Sequence, residues 1–124
     1  MESQLPQKKL EVHALAIEML VLVHRGSERL PRGQGALADQ MNRAALSTTL
    51  AIAEGAGAVT ARAKAARFAL ARGEAGEVAA CAEICRVLGF LPAADADAIE
   101  HHATRIAAML TRLIQRFSGD TFRA

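Results

Sequence analysis

The last third of the chain carries the pattern that most restricts its fold. Apolar residues recur there at alternating spacings of four and three. They are Ile99, Ala103, Ile106, Leu110, Leu113 and Phe117. This heptad repeat is typical of a helix that packs lengthwise on neighbouring helices. Asp95 near the start and Arg116 near the end suit the dipole of a helix over about residues 93–117.

Further apolar periodicities predict three more helices earlier in the chain. They cover about residues 6–30, 35–57 and 60–88. Glycine and proline residues separate them near positions 31–35, 57 and 89–92. No stretch alternates as a strand does, and short connections favour antiparallel neighbours. The sequence therefore predicts an all-α protein, an up-down-up-down antiparallel four-helix bundle in one domain over residues 1–124.

The third helix is predicted to bury a stripe of mainly small residues. Gly73 and Gly76 lie in its middle, where each costs about 1 kcal/mol relative to alanine and indicates a close neighbour or a kink. The predicted buried positions are Ala63, Ala66, Leu70, Gly73, Glu77, Cys81, Ile84 and Leu88.

Composition favours association of such bundles with one another. Hydrophobic residues make up 52% of the chain, but there are only four phenylalanines and neither tryptophan nor tyrosine. Small side chains bury little apolar area, so we expect a homo-oligomer. Leu15 and Leu22 lie beside the main apolar stripe of the first helix and are expected to face another subunit.

Motifs for catalysis, cofactors and membranes are lacking in the sequence. There is no Glu-x-x-His pair for a di-iron site, no local Ser/His/Asp group and no phosphate-binding loop, so we expect no enzyme, no cofactor, no metal and no small-molecule substrate. The sequence has no long uncharged apolar run, so no membrane-spanning helix is expected. Cys81 and Cys85 lie one helical turn apart, which does not suit a disulfide. We therefore expect inert thiols in a cytoplasmic protein.

A set of polar residues falls on the second and third helices, and two of its members are expected to share a face. Arg43 and Glu54 are eleven residues apart, which is almost three helical turns. The full set is Arg43, Ser47, Glu54, Arg72 and Glu77. One hypothesis is a buried ion-pair network that fixes helix register or a subunit contact; the other is a ligand or partner site at an opening in the bundle. The first is favoured because the two positive and two negative charges of the set balance, as they tend to in pairs that fix helix register.

Cationic residues collect at one predicted end of the bundle. They are Lys8, Lys9, Arg62, Lys64, Arg67, Arg112 and Arg116, with Arg123 beyond them. Arg62, Lys64 and Arg67 stand at the N-terminus of the third predicted helix, where cations are unfavourable. Their position suggests an anionic partner. The alternative is a solvated arginine-rich surface. Without tyrosine or tryptophan to stack on bases, RNA or DNA is expected to bind by its backbone charge, with strong salt dependence and little sequence specificity.

The segment of residues 40–55, which ends in Ala-Ile-Ala-Glu-Gly, resembles the signature of the four-helix-bundle proteins encoded in 23S rRNA intervening sequences. The likeness continues at residues 71–73, Glu77 and residues 88–91, although Ala51 replaces the usual asparagine. The resemblance implies a small cytosolic bundle that forms a ring, typically a pentamer, without established enzymatic activity. The family is distantly similar to accessory proteins of diversity-generating retroelements, which bind nucleic acid and a reverse transcriptase.

Two functional hypotheses follow. The first is a non-enzymatic oligomeric scaffold or interaction protein whose main partner is a further copy of itself. The alternative is an accessory protein that binds RNA or DNA, or a nucleic-acid enzyme, through the basic end. The small formal net charge of +2 favours the scaffold.

Overall fold

The computed structural model describes residues 5–6 and 10–119, and its secondary structure there consists of helices without a strand. The helices are α1 (Glu11–Ser27), α2 (Gly35–Gly57), α3 (Ala61–Val87) and α4 (Ala93–Ser118). Each helix packs on the next one in the chain, and α4 packs back on α1. The end of α2 meets the start of α3 where Gly55 faces Phe68, as antiparallel neighbours do. The predicted antiparallel four-helix bundle is confirmed.

The helix bounds agree with the sequence for α2, α3 and α4 to within one residue. The first helix is shorter than the predicted range of residues 6–30. It begins at Glu11, after an extended Leu10, and Ser27 is its last residue. Residues 28–30 continue only as a turn, because Pro31 disfavours helical backbone in the residue before it.

Local signals at the ends of α3 explain its position. Thr60 Oγ1 accepts a hydrogen bond from the Ala63 backbone N–H at 3.0 Å, which satisfies a free donor of the first turn. At the other end, the Phe90 N–H donates to the Cys85 carbonyl at 2.8 Å. Gly89 permits this closure because its φ is +74°, a conformation that side chains with a Cβ rarely adopt.

The core is built mainly from alanine and β-branched residues, with a few large side chains. Phe68 is the largest fully buried side chain, and its ring lies 6.1 Å from that of Phe117. A Cβ added to Gly55 would lie 2.7 Å from the Phe68 ring, so only glycine lets α2 approach α3 so closely at this level.

The buried side of α3 differs from the prediction. Only Cys81 of the predicted buried stripe is buried. The buried residues are Ala65, Phe68, Ala71, Ala75, Val78, Cys81, Ala82 and Cys85. Alanine and glycine occur on every side of α3, so composition gives little contrast between faces. The face is set by Phe68, the one large aromatic residue of the helix, because its burial outweighs that of several alanines.

Two further corrections concern large apolar residues. Leu15 exposes only 7% of its surface and Leu22 packs partly against the core, so Leu15 does not face outwards as predicted. The α4 repeat is buried as predicted as far as Leu110, but Ile114 is buried in the last turns and Leu113 only partly so. An ideal α-helix drifts relative to a strict heptad, which moves the buried side by one residue.

Candidate functional site

The polar set predicted on α2 and α3 is not a buried network within the subunit. Arg43, Glu54 and Glu77 are exposed, while Ser47 and Arg72 are half-buried. Among the described residues, none of the five forms a hydrogen bond or an ion pair with another of them. Glu77 instead accepts a hydrogen bond from Gln40 at 2.8 Å. Arg72 donates to Thr111 of α4 at 3.3 Å.

The reason lies in the direction of the shared face. Arg43 and Glu54 do lie on one side of α2, but it is the side opposite Met41 and Ile52, which are fully buried. The polar groups that α2 does bury need no partner from another helix. The Thr48 hydroxyl donates to the Ala44 carbonyl of its own helix at 2.7 Å, as serine and threonine hydroxyls commonly do.

The outward side of α3 carries a second heptad pattern, which we call the α3 outer stripe. It consists of Ala66, Leu70, Gly73, Glu77, Ala80 and Ile84, and all six are exposed. Leu70 and Ile84 expose 55% and 43% of their surface. A Cβ added to Gly73 or Gly76 would meet no atom within 4 Å in the part of the chain that the structure describes. The stripe is therefore shallow and, apart from Glu77, apolar, and the described residues leave it uncovered.

A comparable stripe on α1 was missed by the sequence argument. The α1 outer stripe consists of Ala14, Ile17, Val21 and His24, all exposed and spaced by three, four and three. Ile17 and Val21 expose 43% and 42% of their surface. The detectable signal was a second apolar periodicity on the same helix, offset from the buried one. The outward position predicted for Leu15 and Leu22 is therefore occupied by Ile17 and Val21.

The predicted basic end is only partly free of local partners. Lys64 donates through Nζ to the Ala56 carbonyl at 2.8 Å and lies 3.4 Å from that of Gly55. These are carbonyls at the end of α2, where a cation is favourable. Lys64 Nζ lies 5.7 Å from the centroid of the Phe117 ring, and the guanidinium carbon of Arg116 lies 5.5 Å from the same centroid. Lys64 and Arg116 therefore do not need an external anion to explain them.

Three other cations of this end remain available. Arg62, Arg67 and Arg112 are exposed and form no ion pair with another described residue. Arg112 borders a groove of about 270 Å³ between the start of α1 and the end of α4. Lys8 and Lys9, like Arg123, lie outside the described residues.

At the opposite end of the bundle two arginines are paired, whereas Arg25 and Arg32 form no ion pair with another described residue. Arg29 contacts Asp95 at 2.6 Å. Arg86 contacts Asp97 at 3.2 Å and donates a further hydrogen bond to Glu100, which raises the pKa of Arg86. The two ends therefore have different electrostatic character even though the net charge is small.

The two cysteines are free thiols inside the bundle. Burial raises the pKa of both, and the charge of Glu77 raises that of Cys81 further. A raised pKa keeps the neutral thiol, which is a weak nucleophile and a poor metal ligand. No cluster of three or more His, Cys, Asp or Glu side chains suited to a metal occurs among the residues that the structure describes.

We expect both thiols of the native protein to react more slowly with a disulfide reagent at pH 8 than the same thiols in urea, because their raised pKa values leave less thiolate. Glu77→Gln should accelerate Cys81 and leave Cys85 unchanged, and peptide mapping of the labelled protein would measure each rate. The raised pKa values also affect the free energy of unfolding. The contribution of the two buried thiols to it is fully present below the ordinary thiol pKa. It is lost at higher pH, because the unfolded chain releases these protons first. Equal native and denatured rates would contradict the burial of the thiols.

Comparisons with known proteins agree with this architecture. A sequence model of the family described as 23S rRNA-intervening sequence protein matches residues 8–112. A crystal structure described as a protein of unknown function from the S23 ribosomal protein family of Bacteroides thetaiotaomicron VPI-5482 superimposes with a TM-score of 0.77 at 20% identity. The match covers 84% of this chain and 98% of that one. No curated protein matches the chain.

None of these descriptions assigns a catalytic activity. No helix among the described residues is both long and apolar enough to cross a membrane. The likeness to the Bacteroides structure is a likeness of fold. The sequence model covers most of the chain, and the bundle is the fold that this resemblance implies. The chain belongs to the family of 23S rRNA-intervening sequence proteins.

Proposed function

We propose that this protein is a non-enzymatic scaffold of the cytoplasm that assembles from copies of itself. The observation that carries the proposal is the α3 outer stripe. A heptad pattern on a helix is an arrangement for packing against another helix, and the subunit uses the other side of α3 for its own core. The partner that would complete the pattern is therefore a helix of another molecule.

The glycines of α3 strengthen this argument. Gly73 and Gly76 each cost about 1 kcal/mol relative to alanine in a helix interior. Neither has a close neighbour in the described part of the chain that would require the absence of a Cβ. Close approach of a helix from a second copy would explain why both positions are occupied by glycine, which has no Cβ. Leu50 of α2, which is 54% exposed, adds further apolar surface on the adjacent helix.

A scaffold also agrees with the chemistry of the polar residues. The set on α2 and α3 is spread over outward positions and does not converge on one cavity. The thiols are held in their neutral form by burial. We propose a ring of five subunits, the number that the family resemblance implies.

Native mass spectrometry and light scattering of the purified protein test the proposal directly. The expected result is a discrete species at a multiple of the 13.1 kDa subunit mass, five for a pentamer. A mass that stays at one subunit over a wide concentration range would overturn it.

A second candidate function is binding of RNA or DNA at the basic end. It is favoured by three exposed arginines at this end, Arg62, Arg67 and Arg112, which lack ion-pair partners among the described residues. The opposite end also holds the carboxylates Asp95, Asp97 and Glu100, which pair with two of its arginines. A ring would present several copies of this end on one side. Repeated weak contacts could then combine into useful avidity.

Matched charge reversals test this candidate. We expect Arg62→Glu/Arg67→Glu to abolish binding to a structured RNA and a DNA duplex at low salt. Arg25→Glu/Arg32→Glu, which changes the charge equally at the other end, should retain most of it. Binding of the unaltered protein should weaken as salt rises. The logarithm of its binding constant should fall linearly with the logarithm of the salt concentration, with a slope of about −0.9 per phosphate contacted. Equal losses in both variants would indicate nonspecific attraction, and no binding at low salt would reject the candidate.

A further inference from the structure

The groove between the start of α1 and the end of α4 has an apolar floor. Its volume is about 270 Å³. Val12, which lines it, is 1% exposed, and Leu10, Met109 and Leu113 pack partly buried against the core. The helix α1 begins only after an extended Leu10, so the turns of α4 that line the groove lie partly beside extended chain. The space between the two helices is therefore not filled by a facing helical turn.

Two guanidinium groups without ion-pair partners stand at the edge of this groove. Arg112 and Arg116 are four residues apart on α4, which places them on one side of the helix. Neither forms an ion pair with another described residue. The contact of Arg116 with the Phe117 ring leaves its N–H donors without a hydrogen-bond acceptor among those residues. Glu11 also lines the groove but pairs with neither arginine, so the positive charges outnumber the negative one.

A second groove between α1 and α4, near the opposite end of the bundle, provides a contrast. It has a volume of about 230 Å³ and is lined in part by Arg25, Arg29 and Asp95. Arg29 contacts Asp95 at 2.6 Å, so an incoming carboxylate would have to displace a carboxylate that is already bound. No such competition exists between described residues at Arg112 and Arg116.

We propose that the groove beside Arg112 and Arg116 binds the anion of a medium-chain fatty acid. The two arginines donate hydrogen bonds to the carboxylate, a group whose two oxygens match the fork of a guanidinium. The alkyl chain covers Leu10, Met109 and Leu113 and removes their exposed surface from water. The inference is independent of the proposed self-assembly, because every group that it uses belongs to one subunit.

The apolar floor distinguishes this ligand from other anions. A free phosphate or a nucleic-acid backbone would satisfy the arginines but would leave the floor against water or polar atoms. The size of the groove also restricts the ligand. Pockets for drug-sized molecules have volumes of about 300–1,000 Å³, so this groove suits a smaller molecule with a single short chain. Octanoate is therefore the probe for the test.

Methionine methyl groups report directly on the floor of the groove. Met109 lines it, whereas Met19 and Met41 are fully buried in the core and serve as internal controls. In the unaltered protein with isotope-labelled methionine methyls, millimolar octanoate should shift the Met109 resonance in a saturable manner and leave those of Met19 and Met41 in place. Acetate, which has no tail, should cause no shift. Octanol, which has no charge, should bind at least about tenfold more weakly, since hydrogen bonds to charged groups are the stronger ones.

Paired variants test the role of the arginines. Arg112→Gln/Arg116→Gln should weaken octanoate binding at least about tenfold. Arg25→Gln/Arg105→Gln removes the same charge from exposed positions outside the groove and should retain the affinity of the unaltered protein. Circular dichroism should show the same helix content in both variants, because all four side chains are exposed.

Three results would overturn the inference. The first is the absence of a saturable Met109 shift in the unaltered protein. The second is equal binding of octanoate and octanol, or equal losses in the two variants, because either would remove the role of the arginines. The third is a changed assembly mass of Arg112→Gln/Arg116→Gln in light scattering, because it would indicate that another copy of the chain occupies the groove.

Discussion

Replacing Leu70 and Ile84 with glutamate is expected to reduce the proposed assembly to single 13.1 kDa subunits that remain folded. In the free subunit both side chains lie in water, so the change costs the fold little. In the assembly each carboxylate would enter an apolar contact without a partner. Burial of an unpaired charge costs several kcal/mol, and each 1.4 kcal/mol raises the dissociation constant tenfold.

The measurement is light scattering over a range of concentrations, with helix content checked by circular dichroism. Val59→Glu is the matched control, since Val59 is 96% exposed in the connection between α2 and α3 and lies outside both stripes. That variant should keep the mass of the unaltered protein. If Leu70→Glu/Ile84→Glu also keeps it, the assembly uses another surface and the function proposed for α3 is wrong.

Phe68→Ala is expected to lower the free energy of unfolding by about 3–5 kcal/mol, a large part of the total for a small domain. Phe68 is 1% exposed, and its ring fills the space that Gly55 leaves between α2 and α3. Truncation would leave a cavity that the closely packed helix backbones cannot readily collapse into. The contact with Phe117 would be lost as well.

Urea unfolding in the Leu70→Glu/Ile84→Glu background measures this loss without interference from assembly, because dissociation otherwise makes apparent stability depend on concentration. Leu50→Ala provides the comparison. It removes a large side chain that is 54% exposed, so its effect should stay within about 0.5 kcal/mol. Comparable effects of the two substitutions would contradict the assignment of Phe68 as the central core residue.

Local sequence signals account for much of the fold. Glycine and proline end the helices, Thr60 caps α3, and the apolar repeat of α4 identifies its buried side as far as Leu110. These features depend on residues within a few positions of each other. Backbone preferences and one-sided apolar patterns are therefore sufficient to predict them.

The polar set and the stripes show where such signals stop being sufficient. The spacing of Arg43 and Glu54 establishes that they share a face, but spacing cannot say whether that face is directed inwards. On α3, two heptad patterns compete, and the outer one was mistaken for the buried one. The sequence of α3 alone does not explain why a cation, Lys64, stands at the N-terminus of that helix, because its partners are carbonyls at the end of α2.

The sequence by itself determined four helices, their order and the antiparallel bundle, because these follow from short-range periodicity and turn residues. Only the tertiary structure decided which side of α3 is buried, since alanine and glycine on all sides make the difference in burial energy between its faces small. The long-range packing of Phe68 against Gly55 resolves that near-equality. By directing Phe68 inwards, it leaves the α3 outer stripe facing away from the subunit.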